Sequence, residues 1–202
     1  MPRDKTAVHR KVLAAAREEF MEYGYEKASM RRIGQRCGMT AAGLYRHCRD
    51  KAGLFGELVS PSIGKIHAWQ EAHISRSLHS MEEDAVDLWK DSEIDMMREL
   101  IYPHMEEYRL LLTRAQGSPY ENFLHDLTRA QQDQMLAFLP LLHEKGYVPR
   151  MIGEKELHLL LSAYTTAMFE PVVHGYSEEE AYRCLEMLEA FFLPGWKQLL
   201  GF

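Results

Sequence analysis

Residues 29–47 constrain this chain more than any other stretch. They read as a short helix, a tight turn and a second short helix. Ser29 can N-cap the first helix, which carries Met30, Ile33 and Cys37 inward. The turn is Cys37-Gly38-Met39, and Gly38 can take a positive φ without a Cβ clash, which lets a short helix reverse steeply. Thr40 can cap the next helix, Ala41 to His47. Ahead of this pair, Val8, Val12, Ala16 and Phe20 recur every four residues, flanked by Leu13 and Tyr23. That stripe is an amphipathic helix with Gly24 as its natural stop. Ile33, Met39 and Leu44 would pack against it.

Small or polar side chains remain outward on the third helix: Ala41, Ala42, Gly43, Tyr45, Arg46 and His47. A helix of about seven residues with small groups near its start can lie deep in the major groove of double-stranded DNA. At its N-terminus Thr40 offers a hydroxyl and free N–H groups to a phosphate. The charge distribution agrees. Residues 1–56 hold 12 Lys and Arg against 6 Asp and Glu, a charge of +6, and residues 57–202 hold 12 against 24, a charge of −12. A basic head on an acidic body suits a head that alone meets a polyanion.

The same segment resembles the TetR family of bacterial regulators over roughly residues 8–58. The carriers are Ala14-Ala15-Ala16, Glu19-Phe20, Gly24-Tyr25, Ala28-Ser29-Met30, Arg32-Ile33, Cys37-Gly38-Met39-Thr40, Gly43-Leu44-Tyr45-Arg46-His47 and Lys51 followed by Leu54-Phe55. The resemblance implies that Ser29 and Thr40 cap helices and touch phosphate, and that Tyr45, His47 and Lys51 clamp the DNA backbone. It places Arg31 where a base can be reached, with Ala41, Ala42 and Gly43 at base-reading positions. Of the adjacent Arg31 and Arg32, one can be plain solvated charge; Arg46 is a second candidate for hydrogen-bonded readout. Cys48 departs from the usual large apolar residue and Gly34 from the usual Ala. Both are expected to loosen packing slightly without removing a DNA contact.

Helical periodicity continues to the C-terminus. Asp50 can cap a fourth helix with Leu54, Phe55 and Leu58 on one face. Pro61, lacking an N–H, is expected to kink or break it. Ile63, Ile66, Trp69, Ile74 and Leu78 then form a connector. Further helices are expected near 81–101, 104–115, 119–145, 154–174 and 178–199. Ser80-Met81-Glu82-Glu83, Ser118-Pro119-Tyr120-Glu121 and Ser177-Glu178-Glu179-Glu180 each read as a capping box, with Pro119 at a first helical position. Pro140 and Pro171 should kink their helices. The last two helices carry wide apolar faces, Leu157, Leu160, Leu161, Tyr164, Ala167 and Met168 on one and Leu185, Leu188, Phe191, Phe192, Trp196, Leu199 and Leu200 on the other. So broad a stripe buries more than one side, which suggests a dimeric four-helix bundle with Leu185, Leu188, Phe191, Phe192 and Trp196 at the interface. Trp89, Met96, Met97, Met105, Tyr108, Leu111, Phe123 and Leu127 could line an adaptable pocket or simply form core. His104, Arg109, Arg114 and His125 are nearby polar groups, and the ligand-binding residues stay unassigned.

Other chemistries find no support in the sequence. Three cysteines, Cys37, Cys48 and Cys184, make no CxxC pair, which argues against a disulfide framework or structural zinc. There is no HExxH, and His67, His73 and His79 spread around a helix, so no metal site is expected. No Walker A, G-x-S-x-G or G-x-G-x-x-G occurs, and neither enzyme activity nor a cofactor is expected. No apolar run would span a bilayer and no signal peptide opens the chain, so the protein is expected in the cytoplasm, away from membranes.

The expectation is therefore an all-α chain of about nine helices. A three-helix helix-turn-helix head, residues 1–56, joins a larger ligand-sensing and dimerisation body, residues 57–202. As a homodimer it would bind a pseudo-palindromic operator. By resemblance it would be a repressor released by a small-molecule effector, the alternatives being a transcriptional activator or an architectural DNA-binder without a ligand.

Overall fold

The computed structural model describes residues 5–82 and 93–201, with side chains for residues 6–72 and 94–201. Among these residues it is all-helical, with no strand. The α-helices are α1 (Lys5–Lys27), α2 (Met30–Arg36), α3 (Ala41–Leu44), α4 (Lys51–Glu82), α5 (Glu93–Met96), α6 (Met105–Thr113), α7 (Phe123–Glu144), α8 (Glu154–His174) and α9 (Glu178–Leu200). A π-helical turn, Met97–Ile101, and a 3-10 turn, Tyr102–His104, precede α6. By internal contact the chain forms two compact units: Met1–Ala68 with His104–Glu121, and Trp69–Pro103 with Asn122–Phe202.

The first unit contains the expected head and also α6 with the turn that follows it. Its core holds Val12, Ala16, Phe20, Ile33, Leu44, Leu54 and Phe55, all with no exposed surface. Phe55 meets Phe20 and Tyr25 edge-on at 5.0 and 5.3 Å, and tilts against Tyr120 at 6.0 Å. Tyr108 of α6 is fully buried and its hydroxyl donates to the Ser62 carbonyl at 2.9 Å. Arg17 of α1 reaches Glu106 at 2.6 Å and Glu107 at 2.8 Å. Helix α1 is interrupted at Gly24, φ +72°, where the sequence places its stop.

Two expectations here are corrected. Helix α4 runs unbroken through Pro61. Pro61 is exposed, so the ladder bond it cannot make is lost on the solvent side, where water substitutes. The Ser118–Glu121 motif does not start a helix. Its Ser118 Oγ accepts from the Tyr120 N–H at 3.0 Å, and Glu121 turns back to accept from the Gly117 N–H at 2.9 Å. Those bonds close a local turn, Pro119 lies within it, and α7 begins only at Phe123.

In the second unit α7, α8 and α9 enclose Leu139, Leu142, Val148, Leu157, Leu161, Trp196 and Leu200. Helices α8 and α9 start where the sequence predicts. Ser177 closes a full capping box: its Oγ accepts from the Glu180 N–H at 3.3 Å, and Glu180 accepts from the Ser177 N–H at 2.9 Å. Pro140 and Pro171 lie inside continuous helices, as does Pro194. Glu83, the partner expected for Ser80, lies outside the described residues, as do Trp89 and the rest of 83–92 of the helix expected near 81–101.

Candidate nucleic-acid interface

The interface is built on the turn between α2 and α3. Gly38 holds φ +72°, and the Met39 N–H donates to the Gly34 carbonyl at 2.8 Å, folding the turn back on α2. A Cβ on Gly34 would lie 3.0 Å from the Met39 oxygen, so this glycine permits a close approach where loosened packing was expected. Helix α3 is shorter than the sequence suggests, Ala41–Leu44. The chain continues to Cys48 through tighter bonds, Arg46 N–H to Gly43 O at 3.3 Å and His47 N–H to Leu44 O at 2.8 Å. Thr40 caps α3, its Oγ1 accepting from the Gly43 N–H at 3.1 Å. Asp50 caps α4 through the Gly53 N–H at 2.7 Å. Ser29 has the extended backbone of an N-cap, but its side chain makes no capping bond, contrary to expectation.

Leu44 is fully buried and anchors α3 in the head. Thr40, Ala42 and Arg46 are exposed, Tyr45 is 53% exposed, and Ala41, Gly43 and His47 are half-buried. One side of α3 thus carries small groups flanked by a phenol, a guanidinium and an imidazole. Arg31, in the first turn of α2, is exposed and has no partner among the described residues. Cys37 and Cys48 are buried, their thiols donating to the Gly34 and Leu44 carbonyls at 3.3 and 3.5 Å. Burial pushes the Cys48 thiol up, which keeps it protonated.

Two other expected contacts are engaged inside the head. The Lys51 ammonium donates to the Glu26 and Ala28 carbonyls at 3.1 and 3.4 Å and sits 4.5 Å over the Tyr25 ring. Two of its three hydrogens thus hold the end of α1. Arg32 donates Nε to Glu19 at 2.6 Å and a terminal nitrogen to the Lys27 carbonyl at 2.7 Å, with its guanidinium 4.2 Å above Tyr23. Glu19 is a structural centre that reading the sequence did not single out. It is fully buried and also accepts from the Ser29 N–H at 3.0 Å and Arg36 Nε at 3.2 Å.

Elsewhere, Leu185 and Trp196 of the expected dimer interface are buried in their own protomer, Leu188 and Phe192 are half-buried, and Phe191 is 76% exposed. The residues weighed for a ligand pocket divide between the units. Tyr108 and Leu111 are core in the first, and Met96, Met97, Phe123 and Leu127 are core in the second. Met105 and Arg109 are half-buried, Arg114 is exposed, His104 bonds Lys65, and His125 stands edge-on to His158 at 6.0 Å. Among the described residues no group of three or more His, Cys, Asp or Glu could hold a metal ion. No helix there is long and apolar enough to cross a membrane.

A short capped helix presented beyond a glycine turn, on a three-helix core, is a helix-turn-helix DNA-binding unit. Residues 12–58 match the model of the bacterial regulatory proteins of the tetR family. Over 62 residues the chain is 47% identical to the HTH-type transcriptional repressor Rv1474c of Mycobacterium tuberculosis (strain ATCC 25618 / H37Rv). That match covers 31% of this chain, and the chain spans only a third, 33%, of that relative's length. A solved structure described as a TetR-family transcriptional regulator from Mesorhizobium loti MAFF303099 aligns over 93% of this chain and 98% of its own. Its TM-score is 0.44 at 19% identity, a likeness too loose to carry an argument.

Proposed function

We propose that the protein is a transcription regulator that binds a pseudo-palindromic operator in double-stranded DNA as a homodimer, represses from it, and is released by a small-molecule effector. The observation that carries this reading is the exposed face of α3, together with the exposed Arg31 of α2, on a head that matches the tetR-family model. Thr40, Tyr45, His47 and Lys51 would hold phosphate and Ser29 would lie beside it. Ala41, Ala42 and Gly43 would approach bases closely, and Arg31, with Arg46, would supply hydrogen-bonded readout. The printed name of the M. tuberculosis relative supports repression in preference to activation.

Helix α9 supports the dimer. Met187 and Trp196 are nine residues apart, which at about 100° per residue sets them on opposite faces. Trp196 faces the protomer core, whereas Met187 and Phe191 are 65% and 76% exposed, and Leu159 of α8 is 69% exposed. We assign the second copy to this outer face. Two heads would then meet major grooves roughly 34–36 Å apart, or a multiple of that. The effector must bind better to a conformation whose heads are misplaced, since equal affinity for both states shifts nothing.

Selection of bound duplexes from random DNA, with and without candidate effectors, tests the reading. A palindromic motif lost on adding one small molecule is the expected result. Binding that no compound alters points to an architectural role, effector-strengthened binding points to activation, and no enrichment at all removes the DNA assignment.

A further inference from the structure

We propose that Glu19 limits the sequence-independent affinity of the head by withholding Arg32 and Arg36 from phosphate, so that Arg31 is the guanidinium that α2 presents to DNA. The inference rests on the DNA-binding reading above.

Helix α2 is seven residues long and carries three arginines, Arg31, Arg32 and Arg36. They have different surroundings. The Glu19 carboxylate has no exposed surface and spends one oxygen on the Ser29 N–H and Arg32 Nε and the other on Arg36 Nε. Arg32 adds its bond to the Lys27 carbonyl and its stacking on Tyr23. Arg36 adds Glu18 at 3.4 Å and a shorter contact to Glu22. Yet the Arg32 and Arg36 side chains are 39% and 29% exposed. Pairing, and not burial, keeps them from a polyanion. Arg31 has neither pairing nor burial.

A guanidinium on phosphate strengthens binding to every sequence alike, because the backbone carries no sequence information. Contacts that favour all DNA equally leave the difference between operator and non-operator affinity unchanged, and raise only the sequence-independent affinity that holds the protein on competing sites. Glu19, aided by Glu18 and Glu22 on α1, cancels two such contacts per head while orienting α2 through the Ser29 N–H.

The test is fluorescence anisotropy of the full chain on its selected operator and on a scrambled duplex, between about 50 and 200 mM salt. Arg32→Gln and Arg36→Gln are expected to leave the slope of log affinity against log salt at its wild-type value, while Arg31→Gln changes operator preference. Glu19→Gln weakens the hold on both arginines and is expected to steepen the slope by about one to two units per subunit. It should also tighten binding to both duplexes by a similar factor. A drop of about one unit in Arg32→Gln or Arg36→Gln means that arginine already touches phosphate and overturns the proposal. So does an unchanged slope in a folded Glu19→Gln protein, which makes Glu19 a packing residue only. If circular dichroism finds Glu19→Gln unfolded, the two arginine variants decide alone. A wild type without salt-dependent binding removes the DNA reading and this inference together, whereas discordant variants of a wild type that binds remove the inference alone.

Discussion

The carbonyl oxygen of Met39 stands 3.0 Å from the point that a β-carbon on Gly34 would occupy. Two effects oppose each other there. Alanine is favoured over glycine inside a helix by about 1 kcal/mol, and a backbone carbonyl must yield a few tenths of an ångström to admit it. Gly34→Ala is therefore expected to change head stability by less than about 1 kcal/mol. Gly34→Val adds two methyls to the same contact and should cost about 1–3 kcal/mol. Calorimetric unfolding measures both, and a Val variant as stable as the Ala one would contradict the close approach.

The two faces of α9 predict different failures. Phe191→Asp alters an exposed side chain, so the protomer should stay folded while the dimer is lost. Trp196→Ala opens a hole in the α7–α9 core and should cost about 3–5 kcal/mol of stability. Light scattering and thermal melting separate the outcomes. A dimeric Phe191→Asp protein would move the interface elsewhere.

Tyr45→Phe and Lys51→Ala should both weaken binding to all sequences. The Tyr45 hydroxyl has no partner among the described residues, so its loss leaves the head's stability unchanged. Lys51→Ala also releases the Glu26 and Ala28 carbonyls. It should lower the melting point as well as reduce the salt slope by about one unit per subunit. Either variant changing the preferred sequence at constant affinity would end the positioning role.

Arg31→Ala should cost about 1–3 kcal/mol on the operator and relax preference at one G·C pair, because its fork matches guanine O6 and N7. The exposed Ala42 and the half-buried Ala41 and Gly43 offer thymine methyls a surface but no bidentate bond. Motif selection with wild type and variant decides the matter, and an identical motif refutes base reading by Arg31.

The Tyr102 hydroxyl donates to the Tyr176 and Ser177 carbonyls at 3.1 and 3.0 Å, and burial pushes its pKa up to about 12 from an ordinary 10.0. The folded state thus holds this proton more tightly than the unfolded one. The stability it confers is complete below pH 10.0 and declines as pH rises towards about 12. Tyr102→Phe should flatten that alkaline decline in melting temperature, and an undiminished decline would assign it to other groups.

The parts of the fold readable in the sequence are those governed by neighbours along the chain. Gly38, Thr40, Asp50 and Ser177 act within three or four residues of themselves, and each turn or cap formed as its chemistry predicts. Glu19 was not readable as a centre because its partners lie 10, 13 and 17 residues away, and along α1 it looks like one more solvated helix charge. The Ser118 motif misled because the same hydroxyl and carboxylate that cap a helix can close a turn instead. On the candidate interface, exposure of α3 followed from its small residues. Which arginines of α2 were free did not follow, because that depends on contacts across helices.

The head unit is assembled from two stretches of chain, up to Ala68 and then His104–Glu121. During translation the helix-turn-helix is made first, but Tyr108 and Tyr120, which pack beside Ser62 and Phe55, are not. At about 5–20 residues per second, the nascent head waits several seconds for them. In that interval the face of Phe55 that Tyr120 meets and the Ser62 carbonyl that Tyr108 bonds lack those partners. A fragment cut at Ala68 would stay permanently at this stage, so residues 1–121 are the shortest N-terminal piece that holds a complete head.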